Sequence, residues 1–199
     1  MVIKESSDEL NAPAVTAAHD TARPPRRERT TRDYLALTIA TAGGIGFIPI
    51  APGTWGAVIG ILLYLLVAAS AARVFNKTEA QFASFRIVLL LGLIICVVAA
   101  GIWAATHCER LFKRKDPGAV VIDEVAGQLI AFVFVPANVG RWSMVAAFIA
   151  FRVFDIWKPY PISHLEALES GLGIMADDVL AGVYAAISVG LMIAIYSIL

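Results

Sequence analysis

The chain has 199 residues, 59% of them hydrophobic and 16% charged. Soluble domains run near ~25% charged and ~45–50% apolar, so this composition, with a mean hydropathy of +0.76, excludes a water-soluble globular fold. Sixteen basic and sixteen acidic residues balance, which leaves no broad basic face for nucleic acid. Cys96 and Cys108 are too few for a disulfide framework. The expected class is all-α: one small polytopic membrane protein, a bundle of about four to five spanning or re-entrant helices.

In chain order, residues 1–33 read as a disordered polar tail, with six basic and six acidic residues, Pro13, Pro24 and Pro25. Such a segment buries too little apolar surface to offset its ordering entropy. It is no secretory signal, because acids are mixed among its bases and no short apolar stretch with a cleavage site follows. Residues 34–199 read as the membrane-embedded domain. From Tyr34 to Ala72 a run of 39 residues carries no Asp, Glu, Lys or Arg. Gly43, Gly44, Gly46, Pro49, Pro52 and Gly53 interrupt it, so it divides into an interfacial or re-entrant piece, 34–50, and a spanning helix, 54–72. The uncharged runs 87–108 and 179–199 are long enough to span, since a spanning helix needs roughly 20 apolar residues. Between them 125–140 and 142–157 are shorter and span only with tilt or local thinning.

The positive-inside rule sets the expected orientation. With the Arg-rich end of the tail inside, the loops 109–124 and 158–178 are cytoplasmic and 73–86 and 138–141 lie outside. Arg110, Lys113, Arg114 and Lys115 support this assignment; Arg73, Lys77 and Arg86 weigh against it.

After the tail only ten acids remain, and nine of them fall between Glu109 and Asp178. In the expected topology all nine sit in, or at the membrane edge of, the two cytoplasmic loops. Asp116-Pro117-Gly118 is turn chemistry, and Asp123-Glu124 opens the third span. Acids at a helix start also serve as caps and suit the dipole. Asp155 does not fit that account, because it lies near a helix C-terminus, where an acid opposes the dipole. Arg152, Asp155 and Lys158, spaced by three, share one arc of that helix, which Pro159 and Pro161 then end. Gly171-Leu172-Gly173 reads as a glycine-containing loop, with Asp177-Asp178 starting the last helix.

Carboxylates gathered on one membrane face repel unless a cation holds them, and oxygen ligands without His or Cys favour Mg²⁺. Arg152 and Lys158 beside such an ion suit a phosphate. At headgroup depth the expected substrate is a phosphorylated lipid of the inner leaflet. Gly53, Thr54 and the first amides of the following helix are a further candidate anion site.

Four blocks carry a resemblance: Gly-Phe-x-Pro-x-Ala-Pro-Gly-Thr-Trp-Gly at 46–56, Asp-Pro-Gly-Ala-Val-Val-Ile-Asp-Glu at 116–124, Phe-Arg-x-Phe-Asp-Ile-x-Lys-Pro-x-Pro-Ile at 151–162, and Gly-Ile-Met-x-Asp-Asp-x-x-Ala-Gly at 173–182. Together, and in this order, they resemble the phosphatidylglycerophosphatase A family from about residue 35 to the end. The resemblance implies an all-helical, Mg²⁺-dependent lipid phosphatase of the bacterial inner membrane, converting phosphatidylglycerophosphate to phosphatidylglycerol. By motif, Asp116, Asp123, Glu124, Asp155, Lys158, Asp177 and Asp178 match the family's polar core. Asp123, Glu124, Asp155, Asp177 and Asp178 are then the expected metal and catalytic carboxylates, with Lys158 also catalytic. Gly53, Thr54, Asp116, Arg152 and Lys158 are the expected phosphate-binding residues. The long N-terminal extension and Gly171-Leu172-Gly173, in place of a Gly-Gly pair, depart from the family pattern.

Two rivals are weighed against this. His107-Cys108 followed after five residues by Arg114 fits the cysteine-phosphatase pattern, but no glycine lies between and Glu109 would repel a phosphate. A small cation or proton carrier would also use membrane acids, but would spread them through the membrane depth.

Overall fold

A computed structural model describes residues 29–74, 78–136, 141–165 and 168–198. The expected disordered tail lies outside the described residues as far as residue 28. The elements are α1 (Thr31–Ala40), a 3-10 turn (Ile45–Phe47), α2 (Pro52–Val74), α3 (Glu79–Phe112), α4 (Ile122–Ala131), α5 (Trp142–Trp157), α6 (Ile162–Leu165) and α7 (Ser170–Tyr196), with no strand among the described residues. Three helices are long and apolar enough to cross a membrane: α2, α3 from Ala80 onward, and α7. Their outward faces stay apolar; Leu62, Leu66, Ile95 and Leu191 are exposed, as surfaces that meet lipid tails would be.

The polar-looking start of the domain is already helical. Thr30 caps α1 by accepting the Asp33 N–H, and the Asp33 carboxylate accepts the Thr30 N–H at 2.7 Å, a reciprocal capping box. Asp33 Oδ1 also lies 2.6 Å from His107 Nε2 on α3, and that hydrogen bond holds the Asp33 carboxyl down at about 2. From this anchor α1 runs antiparallel to α3, so that Thr38, Ile39 and Ala42 share an apolar groove with Cys96, Val97 and Ala100. The chain reverses at Ala42, Gly43 and Gly44, all with positive φ. It returns past Ala119, which packs on Gly46, to the start of α2. Residues 34–50, expected as an interfacial or re-entrant piece, thus run down beside α3 and return to the end of the bundle where α2 starts.

Helix α3 runs from Glu79 to Phe112, longer at both ends than the uncharged run 87–108. Thr78 caps its start by accepting the Gln81 N–H. Arg86, expected in an outer loop, is therefore a buried residue of α3, donating to the Tyr64 hydroxyl at 2.7 Å.

The largest departure is α4. Its ten residues span roughly 15 Å at 1.5 Å per residue, half of a hydrocarbon core of about 30 Å. The expected span 125–140 ends at Ala131 because a turn at Phe132–Phe134 follows and Val135 precedes Pro136, which disfavours helix at Val135. This half-length helix is buried on nearly every side, packed on α2, α3 and α7 and less extensively on α5. Its lower end is closed by Phe132 stacked on Tyr64 of α2, with ring centroids 4.4 Å apart.

Helix α7 crosses α4 at two glycines: a Cβ on Gly182 would strike the Gly127 carbonyl, and one on Gly127 would strike Phe151 and the Asp178 carbonyl. Packing through small residues is how helices approach closely where no hydrophobic force between them exists. Gly182→Val should therefore destabilise the protein by about 1–3 kcal/mol, while Gly92→Val, at a position with open space around it, should change stability little. Thermal unfolding of both variants in detergent checks this; equal midpoints would refute the crossing as a tight contact.

Candidate active site

The C-terminal ends of α3 and α5 and the N-terminal ends of α2, α4 and α7 meet at one end of the bundle. They enclose a cavity of about 540 Å³. All six acids singled out in the sequence line it: Asp116 from the α3–α4 loop, Asp123 and Glu124 from α4, Asp155 from α5, and Asp177 and Asp178 from α7. Lys158 and Lys115 are the cations on its wall, with Pro52, Val120 and Ile174 among the apolar lining.

The acids divide into two groups by what they touch. Asp123, Glu124 and Asp178 each offer a carboxylate oxygen, and these lie within 4.8 Å of one another. Asp123 and Asp178 are buried, and Glu124 Oε2 is a buried acceptor with no hydrogen-bond partner. Asp155 and Asp177 each pair with a cation, and Asp155 also lies against Asp178 and Glu124. Arg152 Nη1 is 2.6 Å from Asp155 Oδ2, and Lys158 Nζ donates to Asp177 Oδ2 at 2.8 Å. Lys158 reaches Asp177 because it caps α5 in a left-handed conformation, φ 45°, just before Pro159. The expected arc of Arg152, Asp155 and Lys158 is thus realised as two ion pairs.

Gathering three carboxylates in a buried site is electrostatically costly, and the nearby Arg152 offsets part of that cost at Glu124. Burial pushes the carboxyls of Asp123 and Glu124, on the short helix α4, above their ordinary range; the charge of Glu124 adds to the effect on Asp123. A hard divalent cation would relieve this, and an all-oxygen donor set suits one. A family profile described as phosphatidylglycerophosphatase A matches residues 38–193. The chain belongs to the phosphatidylglycerophosphatase A family. With the family comes the reaction class: the chain is a phosphatase.

Individual relatives agree over most of their length. A putative phosphatidylinositol-3-phosphatase of Bacteroides thetaiotaomicron is 40% identical over 156 residues, 76% of this chain and 89% of the relative. The phosphatidylglycerophosphatase A of Haemophilus influenzae is 37% identical over 153 residues, covering 76% and 84%. That of Escherichia coli is 30% identical over 168 residues, covering 81% and 88%. No solved structure gives a significant match.

Within this family member, the last acidic pair sits where local sequence did not put it. The expected loop at Gly171–Gly173 is helix, and Asp177 and Asp178 are the eighth and ninth residues of α7, not its opening. Capping therefore cannot account for them. The helix starts early because Thr106 of α3 ties it down: its Oγ1 accepts the Gly171 N–H at 3.1 Å and lies 2.9 Å from Ser170 Oγ. A side chain at Gly171 would collide with α3 at this approach.

The structure places Gly53 and Thr54 in the first turn of α2. Neither residue lines the cavity, and the Thr54 N–H donates to the Ala51 carbonyl at 3.0 Å. Gly53 instead gives room to Glu124 and Arg152, since a Cβ there would overlap Glu124 Oε1 and lie 3.1 Å from Arg152 Nη1. Arg152 likewise stands behind Asp155 and not on the cavity wall. Sequence reasoning passed over Lys115 on the wall. The signal available was its position immediately before Asp116.

Cys108 is wholly buried in the continuous helix α3, and its neighbour His107 is paired with Asp33. No loop of amides surrounds the thiol, so the cysteine-phosphatase arrangement is not built here. The acids gather at one end of the bundle, as the carrier alternative would not require.

Gly53→Ala should displace the Glu124 carboxylate and lower phosphatase turnover by about a hundredfold, with the protein still folded and extractable from membranes. Turnover within twofold of the unsubstituted chain would show that Glu124 tolerates displacement.

Proposed function

We propose that this chain hydrolyses the terminal phosphate of phosphatidylglycerophosphate to give phosphatidylglycerol, at a Mg²⁺-dependent carboxylate site on the cytoplasmic face of a bacterial inner membrane. The observation that carries the reading is the buried trio Asp123, Glu124 and Asp178, with carboxylate oxygens within 4.8 Å. Family membership supplies the substrate. The relative named for a 3-phosphoinositide points to kindred chemistry, a phosphomonoester on a polyol headgroup.

The trio would hold the cation, with the orphaned Glu124 Oε2 as one available ligand atom. When bound, the ion would supply charge for the phosphate oxygens and acidity to a coordinated water. Lys158, fixed by Asp177 on the cavity wall, neutralises a non-bridging phosphate oxygen. Arg152 holds Asp155 in place from behind. Asp155, outside the trio yet facing the cavity, takes the proton of the attacking water. Asp116 stands at the exposed mouth, and Gly53 serves the site from behind by shaping the bed of Glu124.

Two features favour the cytoplasmic orientation. Arg110, Lys113, Arg114 and Lys115 lie at the same end as the cavity, where the positive-inside rule places cytoplasmic charge. Arg86, which weighed against it, is buried and no longer counts as a loop charge.

Phosphate release from phosphatidylglycerophosphate by purified protein in detergent should require Mg²⁺, stop with EDTA and return on adding the metal. Asp123→Asn and Asp178→Asn should each lower turnover at least about a hundredfold while the protein remains folded in the membrane; Cys108→Ser should retain full activity. Metal-independent release, or near-normal turnover in Asp123→Asn, would sink the carboxylate–metal site. Release from phosphatidylinositol 3-phosphate alone would reassign the substrate.

A further inference from the structure

The cavity is far larger than a phosphate group, and its two cations are in different situations. Lys158 is half-buried and tied to the buried Asp177. Lys115 is exposed and, among the described residues, is the lining cation with no carboxylate in ion-pair reach. It stands on the rim, because it also lines the adjoining open cleft that contains Arg110 and Arg114. Its place there is held by backbone: Lys113 and Asp116 on either side have positive φ, at 51° and 46°, and the Asp116 N–H donates to Glu109 Oε1 at 3.4 Å.

A lone cation at the rim of an acid-lined cavity does not serve the reacting phosphate, which Lys158 serves. It faces whatever the rest of the substrate presents at headgroup level. In a lipid whose headgroup carries a terminal phosphomonoester, the next anionic group toward the acyl chains is the phosphodiester. We propose that Lys115 binds this phosphodiester, so that the site selects a lipid-linked phosphomonoester by reading a second phosphate at its mouth. The inference rests on the proposed substrate reading. Arg110, Lys113 and Arg114 lie outside the cavity and suffice for membrane-surface anchoring, so anchoring alone does not explain a cation on the cavity wall.

The test is steady-state hydrolysis of phosphatidylglycerophosphate in mixed micelles by the full chain, Lys115→Gln, Lys115→Arg and Lys113→Gln. Lys115→Gln should raise KM about tenfold, the order expected for losing one charge-assisted hydrogen bond, with kcat within twofold. Lys115→Arg should restore KM. Lys113→Gln, which removes the same charge outside the cavity, should leave KM within twofold. Inhibition by phosphatidylglycerol, which keeps only the diester, should weaken in Lys115→Gln, and inhibition by inorganic phosphate should not. An unchanged KM, a fall confined to kcat, an equal effect of Lys113→Gln, or equal weakening by both inhibitors overturns the proposal. An unsubstituted chain that releases no phosphate from this lipid overturns the substrate reading itself, and this inference with it. Turnover by the unsubstituted chain with an indifferent Lys115→Gln overturns the inference alone.

Discussion

Asp123, Glu124 and Asp178 bring three carboxylate oxygens within 4.8 Å of one another inside an apolar bundle, and that repulsion sets the terms for the surrounding structure. Two neighbouring acids are neutralised separately, Asp155 by Arg152 and Asp177 by Lys158. The trio is left as a cluster that could hold a metal ion.

Half-length helix α4 is what makes such a site possible at the end of the bundle. A full span would put its polar first turn at the same surface as any loop. A half helix, surrounded by α2, α3 and α7, sinks that turn into the bundle while its far end is closed by the Phe132–Tyr64 stack. Every backbone group at membrane depth must find a partner inside the protein. Val121 just before α4 donates to the Ala40 carbonyl at the end of α1 at 2.8 Å, so α1 helps to hold the start of α4.

Glycine sets how near the surrounding helices come. Gly127 and Gly182 let α7 cross α4 backbone to backbone, which brings Asp178 to Asp123 and Glu124. Gly53 leaves space for the Glu124 carboxylate, and Gly171 lets α7 start against Thr106. The site's acids come from separate parts of the chain, and these close approaches decide whether they meet.

Composition together with uncharged runs of about 20 residues determined that this is a helical membrane protein. Motif order alone determined the family and all six acids of the cavity, since each lies in a contiguous block that can be read without its neighbours. Which acids come within 4.8 Å of one another was not legible, because it depends on distances between α4 and α7. The early start of α7 was hidden for a similar reason: glycines read locally as a loop, and only the contact with Thr106 on α3 makes them helix. Lys115 looked like one more surface charge until the backbone turned it into the cavity wall. Local chemistry is written along the chain, whereas pairing and depth follow from helix packing, which no short stretch of sequence contains.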